Sequence, residues 1–180
     1  MSSNIVQNIN NPVLEVYNDY KTAVWNVLIQ QAELDRLKTI NNWIEIPLAI
    51  LASSSIASLA IWETASGGVA WKVLGIATAV LAVIKPFLKI PEKIEQRGKM
   101  LADYCGLEHD LEKIKKLISQ QRRYDDKLRR QYFKVLDKKG KIREKFTGAN
   151  NLKNSQAIKK RCEEEVERRL PPTEFYFPEV

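Results

Sequence analysis

Two apolar runs joined by a six-residue connection constrain this chain more than any other feature of its sequence. Residues 46–62, IPLAILASSSIASLAIW, form seventeen positions without a charge between Glu45 and Glu63. As a helix this run is about 25 Å long at roughly 1.5 Å per residue, close to the roughly 30 Å hydrocarbon core of a bilayer. Trp43 and Trp62 stand nineteen residues apart, about 28 Å along a helix, which places an indole near each membrane interface. The segment 63–68, ETASGG, has the adjacent glycines and small polar residues of a chain reversal. Residues 69–84 follow, with Lys72 as their single charge beside Trp71, where its stem can snorkel to an interface. Lys85, Pro86 and Lys89 close this second run. The pair predicts a two-helix transmembrane hairpin over residues 43–90. The competing expectation is a soluble bundle around a buried, Ala-rich hairpin.

The rest of the chain is polar and basic. A mean hydropathy of −0.33 argues against a polytopic transporter, and the net charge is +7. The hairpin connection carries only Glu63 and Lys72, whereas Arg36 and Lys38 precede the first run and Lys85, Lys89, Lys93, Arg97 and Lys99 follow the second. The positive-inside rule therefore places both termini in the cytoplasm. The opening MSSNIVQNINNP lacks the basic, apolar and small-residue regions of a secretory signal, so no cleaved leader is expected.

In the N-terminal cytoplasmic segment, residues 1–42, Val13, Val16, Tyr17, Tyr20, Val24, Leu28, Leu34 and Leu37 recur at three-and-four spacing. Asn11 serves as N-cap and Pro12 as the first helical residue of a long amphipathic helix. The region 91–180 reads as a second long helix from Pro91 to about Gly140, with Ile94, Leu101, Tyr104, Leu107, Leu111, Ile114 and Leu117 on one side. A polar linker, residues 147–156, leads to a short C-terminal helix that LPP at 170–172 terminates. The extended aromatic tail FYFPEV is expected to dock in a groove of its own or a neighbouring subunit. The predicted fold class is thus an all-α membrane protein: long N-terminal amphipathic helix, two-helix transmembrane hairpin, long basic cytoplasmic helix and short C-terminal helix, assembled as an oligomer.

Little in the sequence points to catalysis. His109 is the single histidine, and beside Asp110 it reads as part of a solvated helix face rather than a metal or catalytic centre. Cys105 and Cys162 fall in the cytoplasmic region, where free thiols are the default. Gly67 and Gly68 lack the phosphate-loop pattern. Asp125 and Asp126 are adjacent and project in different directions from a helix, which does not suit a paired-carboxylate mechanism. No catalytic residue, metal site or cofactor is expected, and the chain is read as a non-enzyme.

Two features do suggest activity. In the first run Ala49, Ser53, Ala57 and Ala60 make a small-residue ridge that allows close helix packing. A quarter turn away, Leu51, Ser54, Ser58 and Ile61 form a hydroxyl face bounded by aliphatics, which in an oligomer can line a water path with a hydrophobic constriction. The alternative is that these serines bond only to their own preceding turn. A hairpin cannot enclose a pore by itself, so three to five subunits are needed, with a tetramer favoured. The second feature is residues 113–145, which hold fourteen basic against four acidic residues, a net +10. Anionic lipid, a polyanion or nucleotide, and plain solvation compete to explain it. Arg122, Arg123, Arg129, Arg130, Lys138 and Lys139 are the candidate phosphate ligands, since guanidinium groups fork onto phosphate oxygens. Tyr124, Tyr132 and Phe133 are the candidate base-stacking rings.

The segments QQAELDRLKTINNWIEIPLAILASSSIASL and AVLAVIKPFLKIPEKIEQRGKMLADYCGLEHDLEKI, together roughly residues 30–114, resemble the SLATT proteins. These are two-transmembrane effectors associated with bacterial nucleotidyltransferase and nucleotide-sensing defence systems. The resemblance implies a pore-forming effector of antiviral, abortive-infection defence in the bacterial inner membrane, gated by a nucleotide or short oligonucleotide. It further implies, as a partner, a nucleotidyltransferase encoded in the same system. Without that resemblance, the residues equally allow a membrane-anchored scaffold that recruits an acidic protein or anionic lipid.

Overall fold

The computed structural model describes residues 11–53, 67–147 and 156–171, with side chains 50–75, 78 and 81 excluded. Every regular element among them is helical: α1 (Pro12–Ser53), α2 (Gly67–Leu88), α3 (Ile90–Gln121), α4 (Asp126–Lys145) and α5 (Gln156–Arg169). The chain divides into two units, one formed by residues 1–33 and 98–180, the other by residues 34–97.

The first unit is built on the two amphipathic stripes anticipated above. Asn11 caps α1: its Oδ1 accepts from the Val13 amide at 2.9 Å and its carbonyl accepts from the Leu14 amide at 2.9 Å. Pro12, at the first helical position, has no amide proton to leave unsatisfied there. Val13, Val16, Tyr17, Tyr20, Ala23 and Val24 of α1 are buried against Met100, Leu107, Leu111, Ile114 and Ile118 of α3 and Leu128, Tyr132, Val135 and Ile142 of α4. Val166 of α5 and Leu170 just beyond it complete the core. The N-terminal segment and the basic region, separate stretches in the sequence, therefore share one hydrophobic core.

One expected element divides. The single helix expected from Pro91 to about Gly140 is two, broken between Gln121 and Asp126. Arg122 adopts φ 50°, the left-handed conformation that commonly ends a helix and more often falls to glycine. Asp125 then starts α4 as an N-cap, its Oδ1 accepting from the Leu128 amide at 2.9 Å, with Asp126 adding an acidic residue to the first turn. The reversal lets Leu128, Tyr132, Val135 and Ile142 fold back onto the core, burial that an uninterrupted helix would forfeit. The C-terminal helix ends as expected ahead of the prolines, with the Leu170 amide donating to the Val166 carbonyl at 2.9 Å.

The second unit contains the C-terminal part of α1, all of α2 and the start of α3. The helix of the N-terminal segment passes without a break through Trp43 and Pro47 to Ser53. Helix α2 includes Pro86, and Lys89, at φ 47°, forms the bend that separates it from α3. Lys85 Nζ lies 3.2 Å from Glu45 Oε1, which ties the α2 end of this unit to α1. Among the described residues no helix is long and apolar enough to cross a membrane. Both predicted spans extend into residues whose side chains or backbone lie outside the description.

Exposure separates the two units sharply. Nine large hydrophobic side chains are exposed among the described residues, and eight of them, Ile40, Trp43, Ile46, Ile76, Val80, Val83, Ile84 and Phe87, belong to the second unit. Trp43 is 75% and Phe87 80% exposed.

Candidate functional site

The bend at Arg122 and the start of α4 bring part of the predicted ligand site together. Tyr124, Arg129, Tyr132 and Phe133 line one groove of about 420 Å³ with Pro12, Glu15, Asp125, Asp126 and Leu136. That volume suits a small ligand. The Arg129 guanidinium stands 5.7 Å from the centroid of the Phe133 ring, within cation–π range. Phe133 is half exposed and Tyr124 half buried, so both rings reach the groove. Burial pushes the Tyr124 phenol above its ordinary value, and the charge of Arg129 partly opposes that.

Three of the expected ligands have partners within the fold. Tyr132 is not a free stacking platform: it is 5% exposed, belongs to the core, and its Oη donates to Asp19 Oδ2 at 2.9 Å. Burial, reinforced by that hydrogen bond and the Asp19 charge, holds the phenol proton well above the ordinary tyrosine range. Lys139 donates from Nζ to the other oxygen of Asp19, Oδ1, at 2.7 Å. Lys138 Nζ is 2.7 Å from Asp110 Oδ2 on α3, so both lysines spend their charge on intramolecular pairs. Gly106 makes room for the second of these, since a Cβ there would stand 3.2 Å from Lys138 Nζ. Lys145 repeats the arrangement one helical stretch on, pairing with Asp103 at 2.7 Å.

The arginines are placed differently. Arg122 forms the bend, and Arg123 at its edge lies 3.7 Å from Asp125 Oδ2. Arg130 is exposed and its Nε donates to the Asp126 carbonyl at 3.4 Å. The groove itself carries three carboxylates, Glu15, Asp125 and Asp126, against Arg129. A phosphate inside it meets repulsion, whereas a base stacked on Phe133 and Tyr124 does not, and carboxylates accept from amino groups on a base edge.

The pore-lining residues expected from the sequence fall outside what the structure describes. Ser54, Ser58 and Ile61 lie outside the described residues, and Leu51 lies on α1 with its side chain outside the description. Cys105 is exposed and Cys162 buried, neither in a disulfide. Among the described residues no group of His, Cys, Asp and Glu could hold a metal ion.

Sequence reasoning counted the charge of α4 without seeing how it is distributed. Lys127, Arg130, Lys134 and Lys141 are all exposed and fall on one face at spacings of three, four and seven. At roughly 100° and 1.5 Å per residue they occupy an arc of about 60° and a length of about 21 Å. None of the four forms an ion pair with a described residue. The helical period applied within residues 126–145 was the signal that could have found them.

No family model, curated protein or solved structure matches this chain.

Proposed function

We propose that the chain is a pore-forming membrane effector in which several copies of the hairpin unit assemble in a bilayer, controlled by a nucleotide or short oligonucleotide bound to the helical body. The observation that carries this reading is the concentration of exposed large hydrophobics on the unit of residues 34–97. The first unit buries its apolar stripes, so exposure of Trp43, Ile76, Val80, Val83 and Phe87 is a property of one unit, and Ile76, Val80, Val83 and Phe87 recur along α2 at spacings of four, three and four, an exposed apolar stripe that calls for an apolar environment. The bilayer is favoured over a protein partner by the paired interfacial indoles and by the basic residues flanking the runs, which follow the positive-inside pattern. The resemblance to SLATT effectors agrees with this reading and extends it to antiviral defence at the bacterial inner membrane, with a nucleotidyltransferase as source of the signal.

On this reading the base enters the groove against Phe133 and Tyr124, with Arg129 beside it, and the phosphates remain outside the carboxylate rim near Arg122 and Arg123. The test is reconstitution into vesicles holding a small dye, followed by a series of short oligonucleotides and cyclic dinucleotides. Ligand-dependent release is expected, and Ser54→Leu with Ser58→Leu should abolish it. Protein fully incorporated into the vesicles yet leak-free under every ligand contradicts the pore. A membrane-anchored scaffold is the second reading, favoured specifically by the self-neutralisation of Lys138 and Lys139, which leaves a long cationic helix face in place of a compact phosphate pocket.

A further inference from the structure

Two exposed helix faces of the first unit carry charges that the fold does not use, and their sign patterns are complementary. On α4, Arg130, Lys134 and Asp137 follow one another at spacings of four and three, within an arc of about 60°. On α5, read from its C-terminal end, Glu167, Glu163 and Lys160 follow at the same spacings, again within about 60°. All of these side chains are exposed, and none forms an ion pair with a described residue. Neighbouring charges are spent inside the fold: Lys138, Lys139 and Lys145 each hold an aspartate, and Arg168 and Arg169 hold Glu165. The two faces lie on separate flanks of α1. Helix α4 meets it at Asp19, whereas α5 meets it along a groove of about 480 Å³ that Asn18, Lys21, Thr22 and Trp25 line. Trp25 stands about 120° round α1 from Asp19. Within one copy the two patterns do not meet.

We propose that these faces dock on each other between neighbouring copies, α4 of one copy antiparallel to α5 of the next, which rests on the assembly of several copies in the proposed function. Arg130 then meets Glu167, Lys134 meets Glu163 and Asp137 meets Lys160. The order of signs fixes the antiparallel sense, and equal spacings on two helices of equal rise bring all three pairs into register at once. A uniform polyanion fits this side of α4 poorly, because Asp137 lies inside the face and Asp126 and Glu144 are exposed on the same sector. Helix α5 answers Asp137 with Lys160. Lys159 and Arg161 fall outside the α5 arc, one on each side. Phe133, three residues from Arg130, borders the α4 face and stays with the ligand groove that it lines. Arg143 lies about 140° round α4 from Arg130 and takes no part. Because the two faces differ, each copy offers α4 to one neighbour and α5 to the other, and repetition through a closing rotation builds a ring. An exposed ion pair contributes about 1.5-fold to fivefold in affinity, so the three together contribute at most about a hundredfold. Their main effect is to select and orient the partner.

The test is disulfide cross-linking of the full chain in detergent, with Lys134→Cys and Glu163→Cys together in a C105S background; the remaining thiol, Cys162, is buried. Oxidation should give a ladder that runs past the dimer on a non-reducing gel, because each copy links to two neighbours. A mixture of the two singly substituted chains should stop at the dimer. In the otherwise unaltered chain, Arg130→Glu with Lys134→Glu should weaken self-association about tenfold or more by light scattering. Adding Glu163→Lys with Glu167→Arg should restore it, which separates a lost contact from a lost fold. Self-association without any cross-link, or unchanged by the charge reversal, overturns the contact and leaves the assembly of copies standing. Dimers from Lys134→Cys alone as the sole cross-linked product overturn it in favour of a two-fold contact. Loss of oligonucleotide binding on the charge reversal, with self-association unchanged, overturns it in favour of nucleic acid. A chain that stays monomeric in detergent and in vesicles overturns the assembly and this inference with it.

Discussion

The hydrogen bond between Tyr132 and Asp19 links α4 to α1 and decides whether Tyr132 is a structural or a ligand-binding residue. Its Oη donates to Asp19 Oδ2 at 2.9 Å, with Tyr132 5% exposed and the Asp19 side chain 19% exposed. A hydrogen bond to a charged acceptor is worth about 1.5–3 kcal/mol, and the partial exposure of the carboxylate places this one near about 1.5 kcal/mol. Tyr132→Phe removes the donor alone. Asp19→Ala removes the acceptor and also the Lys139 pair, which with a lysine side chain 41% exposed adds only a few tenths of a kcal/mol, about 0.3. The double-mutant cycle should therefore give a coupling of about 1.5 kcal/mol. In a chain of this length about 1 kcal/mol moves Tm by roughly 2–4 °C, so Tyr132→Phe should lower it by roughly 3–6 °C. Thermal melts of the full chain in detergent, followed by far-ultraviolet circular dichroism, read both quantities. The sign with pH is set by the raised phenol: the stabilisation is fully present below the ordinary tyrosine value near 10 and is lost as pH climbs above it. Coupling below about 0.3 kcal/mol, the level of ordinary additivity error, refutes the placement of Tyr132. So does a nucleotide affinity that falls with Tyr132→Phe while stability stays unchanged.

Asp125→Ala removes the α4 N-cap and should cost about 1 kcal/mol in denaturant unfolding, more than Asp125→Asn, which keeps an acceptor. Gly140 lies inside α4 with nothing near its missing Cβ, so Gly140→Ala should stabilise by about 0.5–1 kcal/mol, read as a higher midpoint at an unchanged slope. Burial, together with the neighbouring Glu112, raises the Glu108 carboxyl, and Arg169 and His109 only partly offset this. A raised acid loses stability as pH rises past its unfolded value of 4.5, so Glu108→Gln should melt higher than the parent at pH 7 and level with it at pH 4.

The long-range packing of the first unit could be anticipated because its physical cause is periodic. Val13, Val16, Tyr17, Tyr20 and Val24 recur on one helix face, and the core takes them from that face. Asn11 followed by Pro12 marked the helix start for reasons that need no tertiary context. The break at Arg122 was not legible, because the residue that adopts the left-handed conformation is neither glycine nor asparagine. Only Asp125 followed by Asp126 hinted at a new helix start. The ligand site was half visible: composition showed that residues 113–145 are cationic, but which cations stay solvated depends on Asp19, Asp103 and Asp110, contributed by two other helices. Tyr132 looked like a stacking ring because its partner, Asp19, is 113 residues away.

The central claim, that the apolar face of residues 34–97 lies in a bilayer, is tested most directly by spin labels at Val80 and Val83, placed by Val80→Cys and Val83→Cys in a C105S background. Both side chains are exposed, at 50% and 65%, so a label there need not disturb packing. In vesicles the account predicts frequent collisions with oxygen, which concentrates in the hydrocarbon, and few with a water-soluble nickel chelate. Strong relaxation by the nickel chelate and weak relaxation by oxygen at both sites would place the face in water and contradict the account.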